Sequence, residues 1–301
     1  MLDSMHSGRH SGFRPKCSAW VVAAAAITLF YFAFPAALLR WNLDRLVFSA
    51  SPDDQTHEDK RFEWGVAPGT TIVVRRYGEA GHSCVFFFPG QHGGIAGYER
   101  TLFPSIRSLG ADIYAISYPG QDGARGQSRI DLLPDQVALA ISQVSKRGLC
   151  NASHSVFIGR SLGATVALVE ASRFKPEGLL ADGLGAELSQ VIRTWIDRHW
   201  SLIGWKLLPI RTLVGRQDFS TPLLIEKTPS MPVVVFQGTA DEVTPYALVQ
   251  NLPEGHPNVC LIPVVNASHE NAYLLARDAY IENLRLMLKA NAAAAAHPCR
   301  P

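Results

Sequence analysis

Apolar bursts of strand length alternate with amphipathic stretches of helical length through most of this chain, and that alternation leaves few architectures open. TIVVRRY (71–77), CVFFF (84–88), ADIYAIS (111–117), SVFIG (155–159), GLLAD (178–182), PVVVFQG (232–238) and VCLIPVV (259–265) read as strands. They are rich in Val, Ile and Phe and lack strict alternation, the pattern of strands covered on both faces. Between them, IAGYERTLFPSIRSLG (95–110), LPDQVALAISQVSKRG (133–148), LGATVALVEASR (162–173) and ENAYLLARDAYIENLRLMLK (270–289) carry helical spacing. Pro134 and Asp135 suit a first helical turn and Gly148 a helix end. The expected class is α/β, a mostly parallel sheet with helices on both faces, in one domain over 45–290.

Two segments stand outside the rhythm. Residues 184–231 carry Leu188, Val191, Ile192, Trp195 and Ile196 at helical spacing, then Trp200, Leu202, Ile203 and Trp205. They read either as core-facing helix or as a lid lining an apolar substrate pocket. From Ser18 to Leu39 the chain carries no charged residue. As a helix that run is about 33 Å long, enough to cross a hydrocarbon layer of ~30 Å.

Trp20 and Trp41 fall near the ends of the run, where amphipathic rings favour the membrane interface, and Pro35 lies near its far end. A cleaved signal has a shorter apolar region and a small-residue cleavage site, and no clean site of that kind follows here. The expectation is a transmembrane anchor over 18–41 behind a tail at 1–17, with a second flexible tail at 291–301. Arg9, Arg14 and Lys16 before the span against Arg40 and Arg45 after it favour a cytoplasmic N-terminus, with the folded domain on the outer side.

Gly159-Arg160-Ser161-Leu162-Gly163 matches G-x-S-x-G, and its setting matters more than the match. SVFIG runs into it and ATVALVEASR runs out, which is the strand–turn–helix context of a nucleophile elbow. Gly159 and Gly163 let strand and helix approach closely, and Ser161 stands at a helix N-terminus whose free N–H groups favour developing negative charge. A serine hydroxyl needs a base within hydrogen-bond reach.

Downstream, Asp241 follows the strand PVVVFQG and His269 follows VCLIPVV, so Ser161, Asp241 and His269 fall on three loops at one edge of the sheet. Asp241 is preferred as the acid, with its neighbour Glu242 and then Asp182 in reserve. His256 precedes its strand and belongs at the opposite edge, while His154 reads as a surface or packing residue. For an oxyanion, the backbone N–H of Leu162 is one donor, and the glycine-rich loop Pro89-Gly90-Gln91-His92-Gly93-Gly94 offers a second at Gln91. His92 lies on the wrong loop to serve as the base.

These pieces resemble the α/β-hydrolase superfamily, and more closely its membrane-anchored members with one N-terminal transmembrane helix. The resemblance runs from about Arg45 to Lys289 through RLVFSASPDD, FPGQHGG, YPGQDGARGQS, GRSLG, GTADEVTP and ASHEN. It implies the α/β-hydrolase fold, with Ser161 as nucleophile, His269 as base, Asp241 as acid, and Leu162 and Gln91 at the oxyanion positions. Relatives commonly carry His-Gly-Asn where this chain has Pro89-Gly90-Gln91; a main-chain donor tolerates that change. The implied activity is hydrolysis of an ester, thioester or amide through an acyl-enzyme, with no metal or organic cofactor, on a small-molecule or lipid-like acyl substrate. An acyltransferase using the same residues and a non-catalytic binding module or scaffold are the competing classes.

Charge removes another class. With 28 Lys and Arg against 26 Asp and Glu, the formal net charge is +2, and no basic excess exists to bind nucleic acid. The five cysteines are scattered without a C-x-x-C pair, so no disulfide scaffold is expected beyond at most one bridge.

Overall fold

The computed structural model describes residues 17–48, 50–51, 56–79, 83–289 and 299. The N-terminal tail before Cys17, with Arg9, Arg14 and Lys16, and the C-terminal tail apart from Cys299 lie outside the described residues. The helices are α1 (Cys17–Val47), α2 (Ile95–Thr101), α3 (Phe103–Arg107), α4 (Leu133–Lys146), α5 (Leu162–Phe174), α6 (Leu188–Arg198), α7 (Ile210–Val214), α8 (Thr221–Glu226), α9 (Leu252–Gly255), α10 (Ala272–Leu275) and α11 (Arg277–Lys289). The strands are β1 (Lys60–Ala67), β2 (Thr70–Tyr77), β3 (Ser83–Phe88), β4 (Ala111–Ser117), β5 (Val156–Arg160), β6 (Gly178–Asp182), β7 (Val233–Gly238) and β8 (Val259–Val264).

They form one sheet in the order β1-β2-β4-β3-β5-β6-β7-β8. The pairs β1–β2 and β2–β4 are antiparallel, and every pair from β4 through β8 is parallel. Both faces are covered. Phe86 and Phe88 join one core with Phe157, Ala164 and Leu168, whereas Val85 and Phe87 join a second with Ile106, Ile158 and Leu284. Burial on both faces is why the strands read as continuous apolar runs.

Several local details depart from the sequence reading. KRFEWGVA forms edge strand β1, whose charged residues point to solvent and hid the strand pattern. The stretch 95–110 is two short helices rather than one; Pro104 lies in the first turn of α3, where its ring cannot continue α2. Four cysteines pair, exceeding the single bridge expected: Cys84–Cys150 with Cα atoms 6.0 Å apart and Cys260–Cys299 at 5.6 Å. Pairing depends on spatial proximity, which scattered spacing does not reveal.

The apolar run lies in α1, and among the described residues α1 is the helix long and apolar enough to cross a membrane. The helix continues past that run. Leu39, Leu43 and Val47 are buried in the core of the domain, while Trp20 through Phe30 are exposed. Asn42 leaves helical geometry, at φ −122° and ψ 15°, and kinks α1 there.

One buried group makes stability depend on pH. Glu170 of α5 is fully buried, and neither carboxylate oxygen has a hydrogen-bond partner among the described residues. Burial pushes its carboxyl from 4.5 up to about 8, against the opposing pull of Arg173. The folded chain therefore holds a proton there that the unfolded chain releases, so stability is full below the ordinary value and falls as pH rises towards about 8. Glu170→Gln is expected to remove a slope of up to about 1.4 kcal/mol per pH unit in that window. Thermal melts of the two proteins from about pH 5 to 8 check this; parallel curves would refute it.

Candidate active site

The tight turn between β5 and α5 places Ser161 at the C-terminal edge of the sheet. Ser161 has φ 51° and ψ −122°, a strained conformation that exposes its hydroxyl at the bend. The flanking glycines are there for contact. A Cβ at Gly159 would lie 2.5 Å from Ala164 Cα, and one at Gly163 would lie 2.1 Å from Phe88 O.

Because β5, β7 and β8 run parallel, the loops after them share this edge. His269 Nε2 lies 2.9 Å from Ser161 Oγ, and its Nδ1 lies 2.8 Å from Asp241 Oδ2. The Asp241 carboxylate also accepts from the N–H of Val243 at 2.8 Å and of Thr244 at 2.7 Å, and from Gln237 Nε2 at 3.2 Å. Burial works against its charge, but hydrogen bonds from His269 and Thr244 outweigh that and hold the carboxyl below its ordinary value. An ionised Asp241 can only accept, so Nδ1 carries the proton and Nε2 is free to accept from the serine hydroxyl.

The other carboxylates and histidines are elsewhere. Glu242 is exposed and turns to Arg198 of α6 at 3.6 Å. Asp182 pairs with Arg160 Nε at 3.3 Å, because β5 and β6 place Arg160 and Asp182 opposite one another in register. Burial pushes the Asp182 carboxyl up to about 7 despite Arg160 and His269. His256 Nδ1 lies 3.0 Å from Leu252 O on α9, away from the serine edge, and His154 is exposed on a short 3-10 turn. His92 is exposed, with Nε2 3.0 Å from Gln91 Nε2.

The loop Pro89–Gly94 borders the serine. A Cβ at Gly90 would lie 3.6 Å from Ser161 Cβ, and Gln91 lines the cleft beside Ser161 and Leu162. Leu162 opens α5, so its N–H belongs to the donors a helix leaves without internal partners. The turn after β4 braces this loop. Tyr118 Oη donates to Pro89 O at 3.2 Å, Gln121 Nε2 donates to Gln91 O, and Asp122 Oδ1 accepts from Gly94 N at 3.0 Å. The fully buried Arg75 donates in turn to Ser117 Oγ and Asp122 O.

Three residues at the site had no role in the sequence reading. Gly183, at φ +63°, leaves room for the imidazole: a Cβ there would lie 3.0 Å from His269 Cε1. Thr244 Oγ1 sits 2.9 Å from Asp241 Oδ2 and 3.2 Å from His269 Nδ1. Arg160 donates to His269 O at 2.6 Å and to Tyr98 Oη at 3.0 Å, tying the histidine loop to the elbow. Only a variable position in G-x-S-x-G marked that arginine. Arg160→Met is expected to lower kcat/KM by about 10²-fold through misplacement of the imidazole. Steady-state kinetics on a short ester, with a melt to confirm folding, check this; unaltered turnover would remove Arg160 from the positioning set.

No protein-family model matches the chain, and no curated protein sequence matches it. Solved structures do. An esterase of Pyrococcus furiosus, Pf2001, superposes with a TM-score of 0.64 at 15% identity over 80% of this chain and 98% of that one. Carboxyl esterase 2 of Tuber melanosporum gives 0.59 at 13% identity over 81% and 89%. A bromoperoxidase of Bacillus anthracis gives 0.54 at 14% identity over 73% and 96%. The chain has the α/β-hydrolase fold. The structures that share this fold are named as esterases and a bromoperoxidase.

Proposed function

We propose that this chain is a membrane-anchored serine hydrolase that cleaves an acyl bond, a carboxylic ester in preference to a peptide. The observation that carries the reading is the hydrogen-bonded chain Ser161 Oγ–His269–Asp241, at 2.9 and 2.8 Å. Ser161 Oγ attacks the acyl carbonyl as His269 Nε2 takes its proton, and Asp241 holds the imidazole in the competent tautomer. The N–H groups of Leu162 and Gln91 receive the oxyanion. Collapse of the tetrahedral intermediate breaks the bond to the leaving group, which takes the proton from His269 and departs, leaving the acyl group on Ser161. Water, deprotonated by the same imidazole, then attacks the acyl-enzyme, releases the acid and returns the proton to Ser161.

In this reading α1 anchors the domain in a membrane. The two disulfides support a location on the oxidising side, since such bridges persist in extracytoplasmic compartments and are rare in reducing ones. That agrees with the orientation the flanking charges favour. The test is fluorophosphonate labelling of the full-length chain expressed in cells, followed by fractionation. The expected result is a labelled band in the membrane pellet that is absent for Ser161→Ala. Folded protein that takes no label defeats the enzyme reading, and unprocessed full-length chain in the aqueous fraction defeats the anchor.

A further inference from the structure

The cleft at Ser161 is small, with a volume of about 60 Å³. Beside it lies a chamber of about 580 Å³, within the range of ligand pockets. The two share Val47, Gln91, Leu188, Val191 and Val243 as lining, so one layer of side chains stands between them. Leu38, Leu39 and Leu43 of α1 form one wall of the chamber, and Val191 and Trp195 of α6, in the segment 184–231, help enclose it. The end of α1 is thus a wall of the chamber that adjoins the Ser161 cleft.

Helix length then places that cavity at the lipid boundary. The part of α1 before its first buried residue, Ala19 to Phe34 with Phe32 half-buried, is about 24 Å long, short of a hydrocarbon layer of ~30 Å. A spanning helix must draw in its next turns, and these pack on the segment 184–231. Tyr31 Oη donates to Ser201 O at 3.3 Å, and Gly204 lies so close that a Cβ there would be 2.3 Å from the Tyr31 ring. The same segment exposes Trp200 (89%), Ile203 (69%) and Leu207 (78%), side chains suited to a membrane interface and poorly suited to water. Trp195, at the chamber wall, is 52% exposed.

We propose that the chamber holds a long hydrocarbon chain laid against the anchor helix, so that the substrate is a membrane-resident ester of a long-chain acid entering from the bilayer. The proposal rests on the acyl-hydrolase reading of Ser161 and adds the substrate class. It makes α1 part of the acyl site as well as a tether.

The test uses the full-length chain in phosphatidylcholine vesicles with 4-nitrophenyl esters from acetate to palmitate. The wild type is expected to show kcat/KM at least about tenfold higher on laurate than on acetate, because buried methylenes contribute to transition-state binding. Leu43→Trp, which fills the chamber from the anchor side, should lower that laurate-to-acetate ratio by about tenfold or more. Leu43 is buried, so Val191→Trp, from the α6 wall, provides a second obstruction with the same expected fall should the first variant not fold. A wild type that prefers acetate, or folded variants with an unaltered ratio, overturns the proposal while leaving the hydrolase reading standing. A chain inert to every ester and unlabelled by fluorophosphonate overturns both.

Discussion

Ser161→Ala is expected to abolish fluorophosphonate labelling and to lower kcat on a short acyl ester by roughly 10⁵–10⁶-fold. In the proposed mechanism no neighbouring group replaces the nucleophile; what would remain is binding and the two proposed oxyanion donors, which retain only a small part of the rate. Stability should change by no more than about 1 kcal/mol. The hydroxyl makes no helix cap, and Ala at φ 51° carries the same backbone strain as Ser. A single-turnover measurement with a chromogenic ester, read beside a thermal melt, separates lost chemistry from lost fold. Retained labelling in the folded variant would mean that another residue is the nucleophile.

Asp241→Asn is expected to cost about 10⁴-fold in kcat with the geometry nearly intact. The carboxylate can only accept from His269 Nδ1; an amide can turn its N–H towards that nitrogen, move the ring proton to Nε2, and leave no acceptor for the serine proton. Asp182→Asn is the control. Its carboxyl faces Arg160 and touches His269 only through the field, so the loss should stay below about 10²-fold. Measuring kcat for both variants on one ester ranks the two carboxylates. Equal losses would show that the imidazole is not oriented chiefly by Asp241.

Much of the fold was legible because burial on both faces of a parallel sheet leaves its mark on each strand separately. Phe86, Phe87 and Phe88 are all buried, so CVFFF reads as a strand with no knowledge of its neighbours. Strand β1 was illegible for the converse reason: at the sheet edge, Lys60, Arg61 and Glu63 face water and erase the pattern. The elbow was legible because Gly159 and Gly163 answer to local contacts between consecutive elements. Gly183 was not, because its neighbour is the His269 ring, supplied by a distant loop. The same limit concealed the pairing of Cys84 with Cys150 and the reach of Arg160 to the His269 carbonyl.

From the sequence alone came the strand–helix alternation, the bend at Ser161, the apolar run in α1 and the order of serine, acid and histidine on loops after strands, since each depends on residues near one another in the chain. Among Asp241 and its reserves Glu242 and Asp182, the tertiary structure decided which carboxylate meets the imidazole, and it alone placed Asp182 against Arg160. It also decided that the last turns of α1, with Leu39 and Leu43, become a wall of the cavity beside Ser161. Those outcomes follow from sheet order and register, which bring together residues separated by long stretches of chain; no local pattern carries that information.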